Sequence, residues 1–278
     1  MTTTQAIARL LLFAFVGCAL TFGARTAQAQ EEPSAEQLLE RVDDLYRGHS
    51  SEGTMRVHVK TERWERTLTL RTISEGEEKT LLRIEQPEKE QGISTLMVGG
   101  DIWNYLPKVD RTMKVPASMM SSSWMGSHLS NDDLVRESRF SDDYECDFKS
   151  RAREPSDVHV ISCKPKPDAP VVWGEVVLRL RSSDNIPLDE KFYDERGELV
   201  RTIEFSEVRT FDGRRIPSRM TVIPADKPGE RTELVAIPPA GGTEAVDAAG
   251  TTAVAAFVVT RGSTLLPRSD PAPTPRPD

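Results

Sequence analysis

Leu96-Met97-Val98-Gly99-Gly100-Asp101-Ile102-Trp103-Asn104-Tyr105-Leu106-Pro107 holds two apolar runs on either side of a Gly-Gly pair. That is the sequence signal of a β-hairpin closed by a two-residue turn. With Gly99-Gly100 at the turn, Met97 falls opposite Ile102 and Leu96 opposite Trp103, so apolar side chains occupy both faces. A sheet wetted on one side alternates more cleanly. The second face is therefore expected to be covered or to look into a cavity. The chain runs on through Lys108-Val109-Asp110-Arg111-Thr112-Met113-Lys114-Val115-Pro116 into Ala117-Ser118-Met119-Met120-Ser121-Ser122-Ser123-Trp124-Met125-Gly126-Ser127-His128-Leu129. Two of the four Trp and five of the eight Met lie between Leu96 and Arg136. The Met-Ser-Trp segment is neither periodic nor polar enough for an ordinary loop. Methionine is soft and suits surfaces that accept apolar partners of varied shape. Two readings stand side by side: a core hairpin with a buried connection, or the wall and cover of a place for an apolar guest.

Strand patterns extend outward from this hairpin. Before it, residues 53–61, 64–73 and 79–86 alternate apolar and polar side chains, with turns at Glu75-Gly76-Glu77 and Pro87-Glu88-Lys89. After it, the alternation resumes in 144–152, 157–164, 173–181, 186–193, 199–209, 216–223 and 231–236. Helical spacing marks Ser34 to Arg47, through Leu38, Leu39, Val42, Leu45 and Tyr46, with Ser34 and Gln37 as a capping box and Gly48 as the stop. Pro116 permits a short helix from Ala117. Ser130 or Asn131 caps a second over Asp132 to Glu137, with Asp132 and Asp133 favourable at its start. Asp142-Asp143 reads as a turn. The tally is about eleven strands, and no helix of crossover length separates them. The sheet is therefore antiparallel, and the expected fold is a mainly β, α+β chain forming an open, incompletely closed barrel with an N-terminal helix and short lid helices. From Pro238 the composition turns to Ala, Gly, Thr and Pro, and residues 238–278 read as a disordered low-complexity tail.

Residues 1–29 read as a signal peptide. Leu10 to Phe22 is an apolar run too short for a membrane span, and Ala27-Gln28-Ala29 supplies the small-x-small pattern, with cleavage between Ala29 and Gln30. A second reading takes Phe15-Val16-Gly17-Cys18 as a lipoprotein box, with anchoring through Cys18. Without Arg9 and Arg25 the chain carries 34 basic against 44 acidic residues, a net charge of −10. That excludes a nucleic-acid footprint and opposes electrostatic adhesion to anionic lipid. Cys146 and Cys163 remain for an oxidising compartment. Their midpoint falls in the Glu154-Pro155-Ser156 turn, which places them face to face across a hairpin, within reach of a disulfide.

Catalytic signatures are missing. The sequence has no His-Glu-x-x-His, Gly-x-Ser-x-Gly, Gly-Lys-Ser/Thr loop, dinucleotide fingerprint or Cys-x-x-Cys. His49, His58, His128 and His159 are scattered without carboxylates at metal-site spacing. The expectation is no enzyme, no cofactor and no metal.

Trp103-Asn104-Tyr105-Leu106-Pro107, Arg111, Met119 to Ser127 and Asn131-Asp132-Asp133-Leu134 together resemble the signature of a LolA-like family, the outer-membrane lipoprotein-sorting proteins distinct from authentic LolA. Gln86-Pro87, Gln91-Gly92 and Gly213-Arg214-Arg215-Ile216-Pro217 fit the same pattern. The resemblance runs from Ala35 to Leu234 and fades where the Ala/Pro-rich tail replaces the family's closing segment. It implies an eleven-stranded open barrel with a lidded hydrophobic cavity, in the periplasm. It implies a carrier of lipoprotein or lipid acyl chains. The alternative is an accessory or sensor subunit of an RND-type inner-membrane transporter. On this resemblance Met97, Trp103, Tyr105 and Leu106 line the cavity, and Met119, Met120, Trp124 and Met125 form the lid.

Overall fold

The computed structural model describes residues 32–46, 50–75, 79–135, 140–154, 157–169, 171–211 and 213–237. The expected leader, Cys18, the Ala29–Gln30 cleavage site and the tail lie outside these residues. Thirteen strands form one sheet: β1 Ser50–Lys60, β2 Glu65–Glu75, β3 Lys79–Gln86, β4 Ser94–Val98, β5 Asp101–Leu106, β6 Arg111–Lys114, β7 Tyr144–Ser150, β8 Val158–Pro165, β9 Glu175–Arg181, β10 Pro187–Tyr193, β11 Leu199–Phe211, β12 Arg214–Pro224 and β13 Arg231–Ile237. The order is β6-β5-β4-β3-β2-β1-β13-β12-β11-β10-β9-β8-β7, so β6 and β7 are free edges and the barrel stays open. Every neighbouring pair is antiparallel. Neighbours in the sheet are consecutive in sequence except β1 and β13, which meet with Val57 opposite Leu234, while the consecutive β6 and β7 lie at opposite edges.

The count exceeds the expected tally of about eleven, and the segments read individually from the sequence account for twelve of the thirteen. The strand with no counterpart among the sequence-predicted ones is β6, whose four residues are all exposed. A short wet edge strand leaves no apolar alternation to read. The central hairpin has the expected register, with Met97 opposite Ile102 and Leu96 opposite Trp103. Gly99 and Gly100 both take positive φ at its turn, which only glycine adopts without strain. Its outer face, however, is not covered: Leu96, Val98 and Trp103 remain more than a third exposed. Apolar residues on both faces reflect an unshielded outer surface, which the pattern alone did not separate from a cavity wall.

One face of the sheet carries the core. Val57, Leu68, Leu70, Ile84, Ile102, Leu178, Phe192, Ile203, Val222 and Leu234 all point to it and are buried. Three helices and a long connection cover that face. Helix α1, Ala35–Tyr46, lays down Leu38, Leu39 and Val42. Its capping box forms as read: the Ser34 N–H donates to Gln37 Oε1 at 3.0 Å, and the Gln37 N–H donates to Ser34 Oγ at 3.1 Å. Helix α2, Asn131–Val135, adds Leu134, and α3, Phe140–Asp143, adds Phe140. The Asp142-Asp143 pair thus closes a helix rather than making a turn. Residues 115–130, with two 3-10 turns at Ala117–Met119 and Trp124–Gly126, add Met120, Trp124 and Leu129. Cys146 and Cys163 stand directly opposite on β7 and β8 and form the disulfide, with their Cα atoms 4.1 Å apart.

Candidate functional site

Antiparallel pairing places the β1–β2, β3–β4, β5–β6, β8–β9, β10–β11 and β12–β13 turns at one end of the sheet. The segment 115–130 closes over the inner face toward this end and serves as a lid. Several bonds hold it. The His128 backbone N–H donates to Thr232 Oγ1 at 2.9 Å, and the His128 ring bridges Thr232 Oγ1 at 2.8 Å and Glu230 Oε2 at 3.0 Å. The Glu62 N–H and then the His128 ring hold the Glu230 carboxyl below its ordinary range. Arg66 donates to the Met125 carbonyl at 3.2 Å and pairs with Glu90 at 2.9 Å. Asn131 Nδ2 donates to the Met119 and Ser122 carbonyls, pinching the lid into a loop. At its tip Met125 and Gly126 both have positive φ, and a Cβ on Gly126 would come within 3.3 Å of the Trp64 ring.

Below the lid, Ser130 and Asp133 form a reciprocal cap: the Ser130 N–H donates to Asp133 Oδ2 at 2.8 Å and the Asp133 N–H to Ser130 Oγ at 3.0 Å. The same carboxylate takes two bonds from Arg201 on β11, both 2.8 Å, with the side chains only 8% and 3% exposed. Burial alone would push the Asp133 carboxyl up. The Arg201 charge and its hydrogen bonds, with those from Ser130, outweigh burial and hold it below the ordinary carboxylate range. The Arg201 guanidinium also lies over the rings of Phe192, 4.5 Å, and Trp173, 4.9 Å. Trp173 Nε1 and Arg201 Nε have no hydrogen-bond partner among the described residues.

A pocket of about 350 Å³ opens here, between the lid and the ends of β11 and β12. Leu129, Val172, Trp173, Val200, Val222 and Pro224 give it an apolar wall, and Ser121, Ser123, Ser127, Ser130, His128, Asp133, Arg201, Asp226 and Lys227 give it a polar side. Its volume is at the small end of the roughly 300–1,000 Å³ of small-molecule sites. The Arg201–Asp133 pair inside is already neutralised, and Asp226 and Lys227 add one charge of each sign, so the pocket offers hydroxyls and apolar surface with no net charge of its own from these four residues. Among the described residues no group of three or more His, Cys, Asp or Glu could hold a metal ion.

None of the eight residues expected in the cavity or lid lines this pocket. Met97, Met120 and Trp124 are buried together in the core, and Trp124 Nε1 reaches Thr95 Oγ1 at 3.5 Å. Trp103 and Tyr105 lie on the face of β5 away from buried Ile102 and do not line the described pocket. The Tyr105 hydroxyl donates to Asp110 at 3.1 Å, and a hydrogen bond to that carboxylate, with its charge, raises the phenol pKa. Leu106 and Met125 are half-buried, and Met119 is exposed on the lid. Arg201, Asp133, Trp173 and His128 were missed as site residues. In the sequence Asp133 carries only the signal of a helix start, and His128 has no carboxylate at metal-site spacing, because the partners Arg201 and Glu230 lie 68 and 102 positions away.

An open antiparallel half-barrel with its inner face lidded is the LolA-like fold. A family model described as that of an uncharacterized protein matches residues 76–237, more than half the chain, and the chain belongs to that family. A LolA superfamily protein from Nitrosomonas europaea is 22% identical, with a TM-score of 0.60 over 74% of this chain and 92% of that one. An outer membrane lipoprotein-sorting protein domain from Vibrio parahaemolyticus is 22% identical, with a TM-score of 0.61 over 74% and 93%. A DUF1329 family protein from Desulfovibrio piger is 21% identical, with a TM-score of 0.64 over 75% and 93%. These are likenesses of fold. No curated protein sequence matches the chain.

Proposed function

We propose that the protein is a periplasmic carrier for lipoproteins or other lipidic cargo, sheltering acyl chains between the lid and the inner face of the half-barrel. The observation that carries this reading is the pocket of about 350 Å³ at the lidded end, apolar on the β11–β12 side. An acyl chain cannot cross water bare, because each methylene left exposed costs about 0.8 kcal/mol. The periplasmic setting rests on the leader read in residues 1–29 and on the disulfide between Cys146 and Cys163.

In the described conformation Met120, Trp124, Leu129 and Leu134 occupy the inner face. A guest larger than the pocket therefore enters by moving the lid, exchanging its contacts with the sheet for acyl contacts. Apolar surface replaces apolar surface in that exchange, so uptake and release both stay close to balance. Flexible methionine suits the double role. Native mass spectrometry of gently isolated protein tests the reading in one measurement. The expected spectrum shows a chain beginning at Gln30, two hydrogens lighter for its disulfide, with a lipid-sized adduct. Preparations that are repeatedly empty, and stay empty after incubation with diacylated lipopeptide, would end the carrier reading.

A further inference from the structure

The end of the sheet that bears the pocket also gathers exposed apolar side chains. Trp64 lies on the β1–β2 turn, Val109 on the β5–β6 turn, Val172 ahead of β9, and Leu199 and Val200 at the start of β11. Each is more than a third exposed, and Val109 is 66% exposed. Single exposed hydrophobics carry no message, but convergence marks an interaction surface. These five come from four turns spread across the sheet, and antiparallel pairing alone brings those turns to one end. Val172 and Val200 also line the pocket, so the apolar rim is continuous with its wall.

Charge narrows the partner. The same turns set Glu62 beside Arg63, Lys108 near Asp110 and Lys166 near Asp168, while Arg196 pairs with Asp194 at 3.0 Å and Glu198 at 3.2 Å. Over the four turns the cations Arg63, Lys108, Lys166 and Arg196 stand against Glu62, Asp110, Asp168, Asp194, Glu195 and Glu198, a small acidic excess in a chain whose overall charge is −8. Such a rim repels a polyanion and carries too little net charge to select a strongly basic protein face. An apolar surface of low net charge with an indole at its border fits the interface between phospholipid headgroups and tails, where Trp is enriched. We propose that the pocket end of the half-barrel docks on a phospholipid bilayer through Trp64, Val109, Val172, Leu199 and Val200, so that a lipid chain passes between bilayer and pocket without crossing water. This inference rests on the carrier reading. It adds a coupling: Trp64 packs on the lid at Gly126, so a rim residue at the bilayer touches the element that must move.

The test is flotation of the full chain with vesicles of phosphatidylcholine alone, or with added phosphatidylglycerol, at low and high salt. The parent is expected to float with phosphatidylcholine alone, changing less than twofold with salt, and to bind no better when phosphatidylglycerol is added. The double variant Val109→Asp, Leu199→Asp alters two exposed side chains outside the pocket. It is expected to bind vesicles at least tenfold more weakly while keeping the parent's circular dichroism and its lipid adduct. A parent that stays down with protein-free vesicles overturns the proposal, as does a variant that floats like the parent. Binding that needs phosphatidylglycerol and disappears in salt overturns it in favour of charge. A dimer abolished by the same two substitutions overturns it in favour of a second copy of the chain. The carrier reading fails separately, by an empty pocket in a protein that still floats.

Discussion

Two tryptophans of the same stretch, twenty-one positions apart, illustrate what a residue's surroundings decide. Trp124 is 4% exposed in the core, whereas Trp103 is 37% exposed on the outer face. Trp124→Ala is expected to cost about 3–5 kcal/mol, the usual range for an emptied aromatic site, and Trp103→Ala less than about 1 kcal/mol, as for an exposed side chain. Urea unfolding of the two variants checks the difference. Nothing in the sequence ranked them, because both sit in apolar surroundings along the chain. The Arg201–Asp133 pair gives a second prediction at this scale. The Asp133 carboxyl titrates lower in the folded chain than in the unfolded one. Its contribution to stability is therefore complete above the unfolded value of about 3.9, and is lost as pH falls through the lower folded value. Asp133→Asn is expected to destabilise the protein by about 3–5 kcal/mol near neutral pH, since it strands a buried guanidinium. The gap to the parent should narrow below about pH 4. Equal gaps from pH 7 to pH 3 in denaturant titrations would contradict the assignment.

Among the elements, the β7–β8 hairpin and the lid behave oppositely. The disulfide joins residues 17 apart across an edge hairpin. For a loop of that size its removal by Cys146→Ser, Cys163→Ser is expected to cost about 3 kcal/mol, with the same loss when reductant is added to the parent in a thermal melt. The sequence announced this element fully, because strand, turn and strand lie within one short run. The lid is different. It crosses from β6 to β13, and its bonds to Thr232, Glu230 and Arg66 come from residues 59 to 104 positions away. Thr232→Val removes the acceptor of the His128 N–H while keeping the side chain's shape. Amide exchange in residues 116–130 is expected to speed up about tenfold, in keeping with the loss of a net contribution of about 1 kcal/mol or somewhat more. Exchange in β9 and β10 should stay as in the parent. Uniform acceleration across the sheet would mean that the lid is simply part of the global core.

For the whole molecule, sequence and tertiary structure divided the work by distance along the chain. The alternation of two, the Gly-Gly and Pro-containing turns and the Ser34–Gln37 cap act between residues a few positions apart. The sequence therefore sufficed for an antiparallel, hairpin-connected sheet with an N-terminal helix, for the Met97–Ile102 register and for the Cys146–Cys163 pair. It could not count β6, whose side chains are all wet. Nor could it tell which apolar face of the central hairpin turns inward, because either face satisfies the same alternation. Only the tertiary structure decided that β1 pairs with β13, that Asp133 meets Arg201 from 68 positions away, and that Trp64, Val109, Val172, Leu199 and Val200 share one end. Those choices minimise exposed apolar surface and unpaired charge summed over the entire chain, and that sum leaves no trace in a short window of sequence.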